Sequence, residues 1–292
     1  MTRFPDSLHE NWQRLGDTPA AELVDARLQL HWAAQIPASL GYTYLEPTLD
    51  WSHVSLAWWD DGCVLTTGVA SAGFRASLRP ADLTLLFLDA AGVTVEAFSL
   101  DGQTLEAGYA WLSDAIVRFA GSEASKPVVR PDHELPSHAV AHGATFSRSP
   151  VRSFTELGRW YANAALFLGS ISKTVAGASQ VRCWPHHFDI ASLITLDTTE
   201  NVEEASSLGV GLSPGDRSYP EPYWYVTPWP YPKNPVLPPL AGHGIWHKEG
   251  WIGAVLPGTI IENDGNAVGQ AGRTARFLES AIEAALKLIQ AA

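Results

Sequence analysis

The sequence predicts an α+β fold of two helix-plus-antiparallel-sheet halves packed as one compact unit. Three observations point there. Long segments with helical apolar spacing precede runs of short strand-like segments, Gly, Asp and Pro mark the turns between those runs, and the whole order occurs twice. A chain of 292 residues, 46% hydrophobic and 17% charged, is long enough to bury a large core.

Pro19 marks the first helix start, and Leu23, Ala26, Arg27, Leu30, Ala34 and Ile36 follow at helical spacing. This helix carries His31 and is expected to end near Pro37, because proline lacks an N–H and restricts the residue before it. Strands are expected at Tyr42–Leu45, His53–Trp59, Cys63–Thr67, Phe74–Leu78, Leu83–Leu88 and Val93–Leu100. Turn signals such as Asp60-Asp61-Gly62 make them an antiparallel meander. A helix over Tyr109–Phe119 closes the N-terminal half, residues 1–120.

Residues 121–150 carry Pro127, Pro131, Pro136 and Pro150 without periodicity. They are expected to form an ordered connection anchored by Val128, Val129, Leu135, Val140 and Phe146. The C-terminal half, residues 151–292, begins with a helix over Phe154–Ser172. Strands follow at Val181–Leu196, Ser207–Leu212, Tyr223–Thr227 and Trp251–Leu256. Eight of the 20 prolines lie between Pro220 and Pro239, which argues against central strand there. A final helix, Gly269–Gln290, shows a clean amphipathic stripe through Ala275, Leu278, Ile282, Ala285 and Ile289. Trp51-Ser52-His53 and Trp184-Pro185-His186, 133 residues apart, suggest an internal duplication.

Net charge is −12 with no Lys/Arg cluster, which excludes nucleic acid and anionic membrane surfaces as expected partners. Two cysteines give no disulfide framework and no four-cysteine zinc site. The polar stretch Met1–Trp12 and the lack of a long apolar run lead to the expectation of a cytoplasmic location.

The residues that carry chemistry concentrate between Val181 and Trp229. Read as one strand, Val181–Leu196 places His187 and Asp189 on one face, where a carboxylate orients an imidazole or both hold a metal. The plainer reading is a structural Asp–His pair. Asp216 and Glu221 follow within reach as an acid or metal ligand, and Trp184, Tyr223, Tyr225 and Trp229 are expected to line a ligand pocket. A divalent cofactor of the zinc, manganese or iron kind would take His187, Asp189 and Glu221 as candidate ligands. Gly211-Leu212-Ser213-Pro214-Gly215 matches a nucleophile-elbow pattern, but the following prolines forbid the helix that motif needs, so a turn closing on Asp216 is expected. His133 and His138 are five apart across Pro136, which cannot make a zinc helix.

Two functions remain open. One is a small-molecule enzyme, a hydrolase or lyase, with His187 as base, Asp189 orienting it, Asp216 or Glu221 as acid and the aromatics shaping the pocket. The other is a non-catalytic small-ligand-binding module in which the same aromatics hold the ligand and the Asp–His pair is structural.

Several stretches together, Asp132-His133-Glu134-Leu135-Pro136, Trp160-Tyr161-Ala162-Asn163-Ala164, Trp184-Pro185 with His187-Phe188-Asp189, Ser213-Pro214-Gly215-Asp216, Glu221-Pro222-Tyr223 with Tyr225-Val226 and Pro228-Trp229, and Gly253-Ala254, carry a resemblance. The chain resembles a family of uncharacterised bacterial, mainly actinobacterial, proteins grouped as a domain of unknown function. The resemblance implies a family and no activity. It departs at position 186, usually acidic in that family and His186 here, which weakens any metal site built on that residue.

Overall fold

The computed structural model describes residues 3–123, 125–197, 205–233 and 236–290, and among these described residues it has six helices and two antiparallel sheets. The fold is α+β, and the chain divides into two compact units. One comprises Leu23–Gly158 with Arg182–Phe188; the other comprises Met1–Glu22, Arg159–Val181 and Asp189–Ala292. The first 22 residues therefore group with the C-terminal part of the chain, and the short piece Arg182–Phe188 groups with the N-terminal part.

In the Leu23–Gly158 unit, α2 spans Val24–Tyr44 and keeps Pro37 inside it. The expected end at Pro37 and the expected strand Tyr42–Leu45 are both corrected. Ile36, Ala38 and Leu40 are almost fully buried on either side of the proline, and that burial offsets the roughly 3 kcal/mol a proline costs inside a helix. The strands β1 (Ala57–Trp59), β2 (Val64–Thr66), β3 (Phe74–Arg79), β4 (Thr84–Asp89) and β5 (Thr94–Ser99) form the expected meander in sequence order. α3 (Leu105–Ala120) is N-capped by Thr104, whose hydroxyl accepts from Ala107 N at 3.1 Å. Phe74 and Phe87 stack at 5.3 Å on adjacent strands, and Phe119 of α3 meets both edge-on. Within the connection, Val140 and Phe146 are buried anchors, while Val129 is 51% exposed and its backbone N–H donates to the Thr43 hydroxyl.

The other unit is led by α1 (Ser7–Asn11) and takes most of α4 (Val151–Thr174). Its sheet runs in the order β10 (Ile245–His247), β11 (Gly253–Pro257), β9 (Tyr223–Trp229), β8 (Ser207–Ser213), β7 (Asp189–Thr195). β9 is thus central despite its proline. Its register with β11 runs from Tyr223 to Val226, and Pro228 lies beyond that end, opposite Leu208 of β8. α5 (Gly258–Glu262) and α6 (Ala267–Gln290) complete the unit. Alternate residues Ile190, Ile194, Leu208, Val210, Leu212, Trp224, Val226, Ala254 and Leu256 are buried on the side that packs on α6. The side chain of Gln270 on α6 ties down the N-terminal segment, accepting from Leu15 N and Trp12 Nε1 and donating to Leu15 O.

A long helix, an antiparallel sheet and a closing helix recur in each unit, which fits a duplication. The Trp-x-His stretches do not share a local conformation. Trp51, 62% exposed, has φ 58 at the start of a 3-10 turn, whereas Trp184 ends β6 (Arg182–Trp184).

Candidate functional site

The stretch read as one strand, Val181–Leu196, is broken. β6 ends at Trp184, the chain turns through Pro185–Phe188, and β7 begins at Asp189. Phe188 sits at φ 56, a left-handed conformation that costs about 1–3 kcal/mol for a bulky residue. What holds it is tertiary. The Pro185 carbonyl accepts from His31 Nε2 at 2.9 Å and from Gln35 Nε2 at 2.8 Å, and the Phe188 ring stacks on His31 at 5.4 Å. The alternation that paired His187 with Asp189 on one strand face therefore does not exist, and the two residues fall in different units.

His187 belongs with other histidines. Its ring centroid lies 4.3 Å from His186, and His186 lies 6.0 Å from His133. His31 is 4% exposed, and its pKa is pushed down to about 4, first by burial and then by Arg27, His133 and His187, against the Pro185 hydrogen bond. His133 is held below the usual imidazole value by burial and by His187, with Asp132 and the Pro185 carbonyl opposing. Its Nε2 and the Oε1 of Gln35 are buried without a hydrogen-bond partner among the described residues. Sequence reasoning missed this cluster because its members come from α2, the connection and the turn; only the proximity of His186 to His187 was visible.

The remaining candidates lie in the other unit. The face of its sheet away from α6 carries Asp189, Ala191, Leu193 and Thr195 on β7, Ser207, Gly209, Gly211 and Ser213 on β8, and Tyr223, Tyr225, Thr227 and Trp229 on β9. Tyr225 lies across Gly211 and donates its hydroxyl to Asp189 Oδ2 at 2.5 Å. A Cβ at position 211 would fall 2.5 Å from that hydroxyl and 2.8 Å from the Ile190 carbonyl, so only glycine leaves room. Tyr223 donates to Asp216 Oδ2 at 2.7 Å; burial first, then this bond to a carboxylate, raises the phenol pKa far above its ordinary value. Asp216 also accepts from Ser218 N and Tyr219 N, closing the turn expected after Ser213. The Ser213 hydroxyl accepts from Gly215 N inside that turn.

Glu221 has a structural place. Its carboxylate accepts from Thr259 N at 2.6 Å and the Thr259 hydroxyl at 3.1 Å, which caps the first turn of α5. An aromatic ridge borders the face. His247 Nε2 donates to the Glu249 carbonyl at 2.7 Å, which leaves Nδ1 to accept from Tyr219 at 3.1 Å, and the ring stacks on Trp251 at 4.3 Å. Trp251 in turn covers Gly253. At the other end Trp229, 46% exposed, meets Tyr231 edge-on at 5.4 Å.

No family model, curated protein or solved structure matches the chain.

The structure brings Asp189, Tyr223, Tyr225 and Asp216 together, keeps Trp229 on the same face, and puts Glu221 at a helix end. His187 and Trp184 stand in the other unit. Among the described residues no group of three or more His, Cys, Asp or Glu is arranged to hold a metal ion, so the expected set of His187, Asp189 and Glu221 is not assembled. A cleft of about 700 Å³ opens elsewhere in this unit, on the α6 side of the sheet, lined by Ile194, Leu208, Ile282 and Leu286 with Arg3 and Lys287; none of the expected site residues line it. No described helix is long and apolar enough to cross a membrane.

Proposed function

We propose that this protein binds a small flat or sugar-like molecule on the half-exposed part of the sheet face formed by β7, β8 and β9, beside Trp229. The observation that carries the reading is the half-exposed surface of Gly209, Tyr225 and Thr227, bordered by the exposed Trp229, with Tyr225 fixed over Gly211 by its bond to Asp189. The indole and the phenol supply a stacking surface, and the Tyr225 oxygen, its proton donated to Asp189, offers an acceptor for a ligand hydroxyl. The carboxylates of Asp216 and Glu221 are taken up by backbone N–H groups, which supports binding over acid–base chemistry at those two positions.

The test is calorimetric titration with methyl glucosides, adenosine and benzoate, each against the wild type, Trp229→Ala and Asp189→Asn. One class should bind saturably, with both variants at least about tenfold weaker, the scale of a lost aromatic or charged anchor. Saturable binding by none of the three, or equal affinity in all proteins, would overturn the reading.

The pairing of the Tyr225 phenol with the Asp189 carboxylate favours a second reading, in which the same face is the active site of a hydrolase or lyase. That pair, rather than His187, then handles the proton, and Tyr225→Phe would abolish turnover of a bound ligand while leaving its affinity within about threefold.

A further inference from the structure

We propose that the turn from Pro185 to Phe188 is an acid-released latch, clamped while His31 and His133 are neutral and opened when they take up protons. The clamp is geometric. His31 and Gln35, one turn apart on α2, both donate to the Pro185 carbonyl, and Gln35 also donates to the His31 carbonyl at 2.9 Å. Phe188, at positive φ, is kept in place by its stack on His31, and its N–H and that of His187 bond back to the Trp184 carbonyl at 2.6 and 3.2 Å. The turn's strained residue thus depends on the imidazole beneath it.

Protonating His31 does not remove its donor. It places a second positive charge in a buried position that Arg27 already faces from the same helix, His133 from the connection and His187 from the turn. His133 is half-buried, with His187 and His186 on one side; Asp132 is the carboxylate that opposes its charging. Asp25, on the first turn of α2, is engaged by His138 and Gln29. When the turn opens, both rings regain water and their ordinary affinity for protons, so acid favours the open form. For His31 alone, a closed pKa of about 4 against about 6.5 when open makes opening roughly thirtyfold more frequent at pH 5 than at pH 7.5.

Hydrogen exchange of the full chain, followed by mass spectrometry at pH 7.5 and pH 5 and corrected for intrinsic rates, reads this directly. The amides of His187 and Phe188 should lose about thirtyfold in protection, ahead of the β3 and β4 amides of the same unit. His31→Gln keeps an N–H for the Pro185 carbonyl but cannot titrate, and should hold the turn's protection nearly constant. Turn protection that is unchanged by pH, or that falls in step with β3 and β4, overturns the latch, as does a His31→Gln protein as acid-labile as wild type. Should that variant not fold, histidine NMR of the wild type decides: a His31 titration near pH 6.5 overturns the proposal, and one well below pH 5 supports it.

Discussion

At the scale of single residues, Gly211 and Tyr225 decide the shape of the candidate site. The phenol reaches Asp189 only because position 211 has no side chain. Gly211→Ala would push a methyl against the Tyr225 hydroxyl and the Ile190 carbonyl, and the carbonyl cannot move without disturbing the β7–β8 ladder. We expect a loss of about 1–3 kcal/mol, the usual cost of overpacking, together with loss of the Tyr225–Asp189 bond. Denaturant unfolding and the ultraviolet difference spectrum of the tyrosines would measure both. An alanine that leaves stability within about 0.5 kcal/mol would show that Tyr225 does not lie across this glycine.

At the scale of elements, the short helix α5 explains a carboxylate that looked catalytic in the sequence. Glu221 holds the Thr259 N–H and hydroxyl, satisfying donors that a helix start leaves unpaired. Glu221→Ala should cost about 1 kcal/mol of stability through loss of this cap and leave ligand affinity unchanged. A large loss of affinity without a fall in melting temperature would return Glu221 to the site. The same scale shows how burial overrides local preference. α2 runs through Pro37 because the residues on either side are sealed in the core, while the alternating stretch around Pro185 is bent into a turn by donors on that helix.

For the whole molecule, pH should act through the buried imidazole. The folded pKa of His31, about 4, lies below its unfolded value of roughly 6.5. Its contribution is therefore fully present above pH 6.5 and is lost as the pH falls toward 4, because the unfolded chain takes up the proton first. The loss approaches about 3 kcal/mol for this one group. Urea unfolding from pH 7.5 to 4.5 should show it, and His31→Gln should flatten the curve by a similar amount. Equal acid slopes in the two proteins would remove His31 from the explanation.

The sequence by itself determined the α+β class, the antiparallel meander from β1 to β5, and the amphipathic helices α4 and α6. Each of these rests on local periodicity and turn residues, which neighbours in the chain suffice to specify. Of the residues the sequence singled out, Asp189, Tyr223 and Tyr225 do share one sheet face, with Asp216 in the adjoining turn bonded to Tyr223. What only the tertiary structure decided was partnership. His187 leaves Asp189 for a histidine cluster because the His31 imidazole, 154 residues away from Pro185 in sequence, bonds its carbonyl and turns the strand aside. Glu221 becomes a cap because α5 forms against it. Such contacts depend on which surfaces are brought together when the core is buried, and alternation within a single segment carries no information about them.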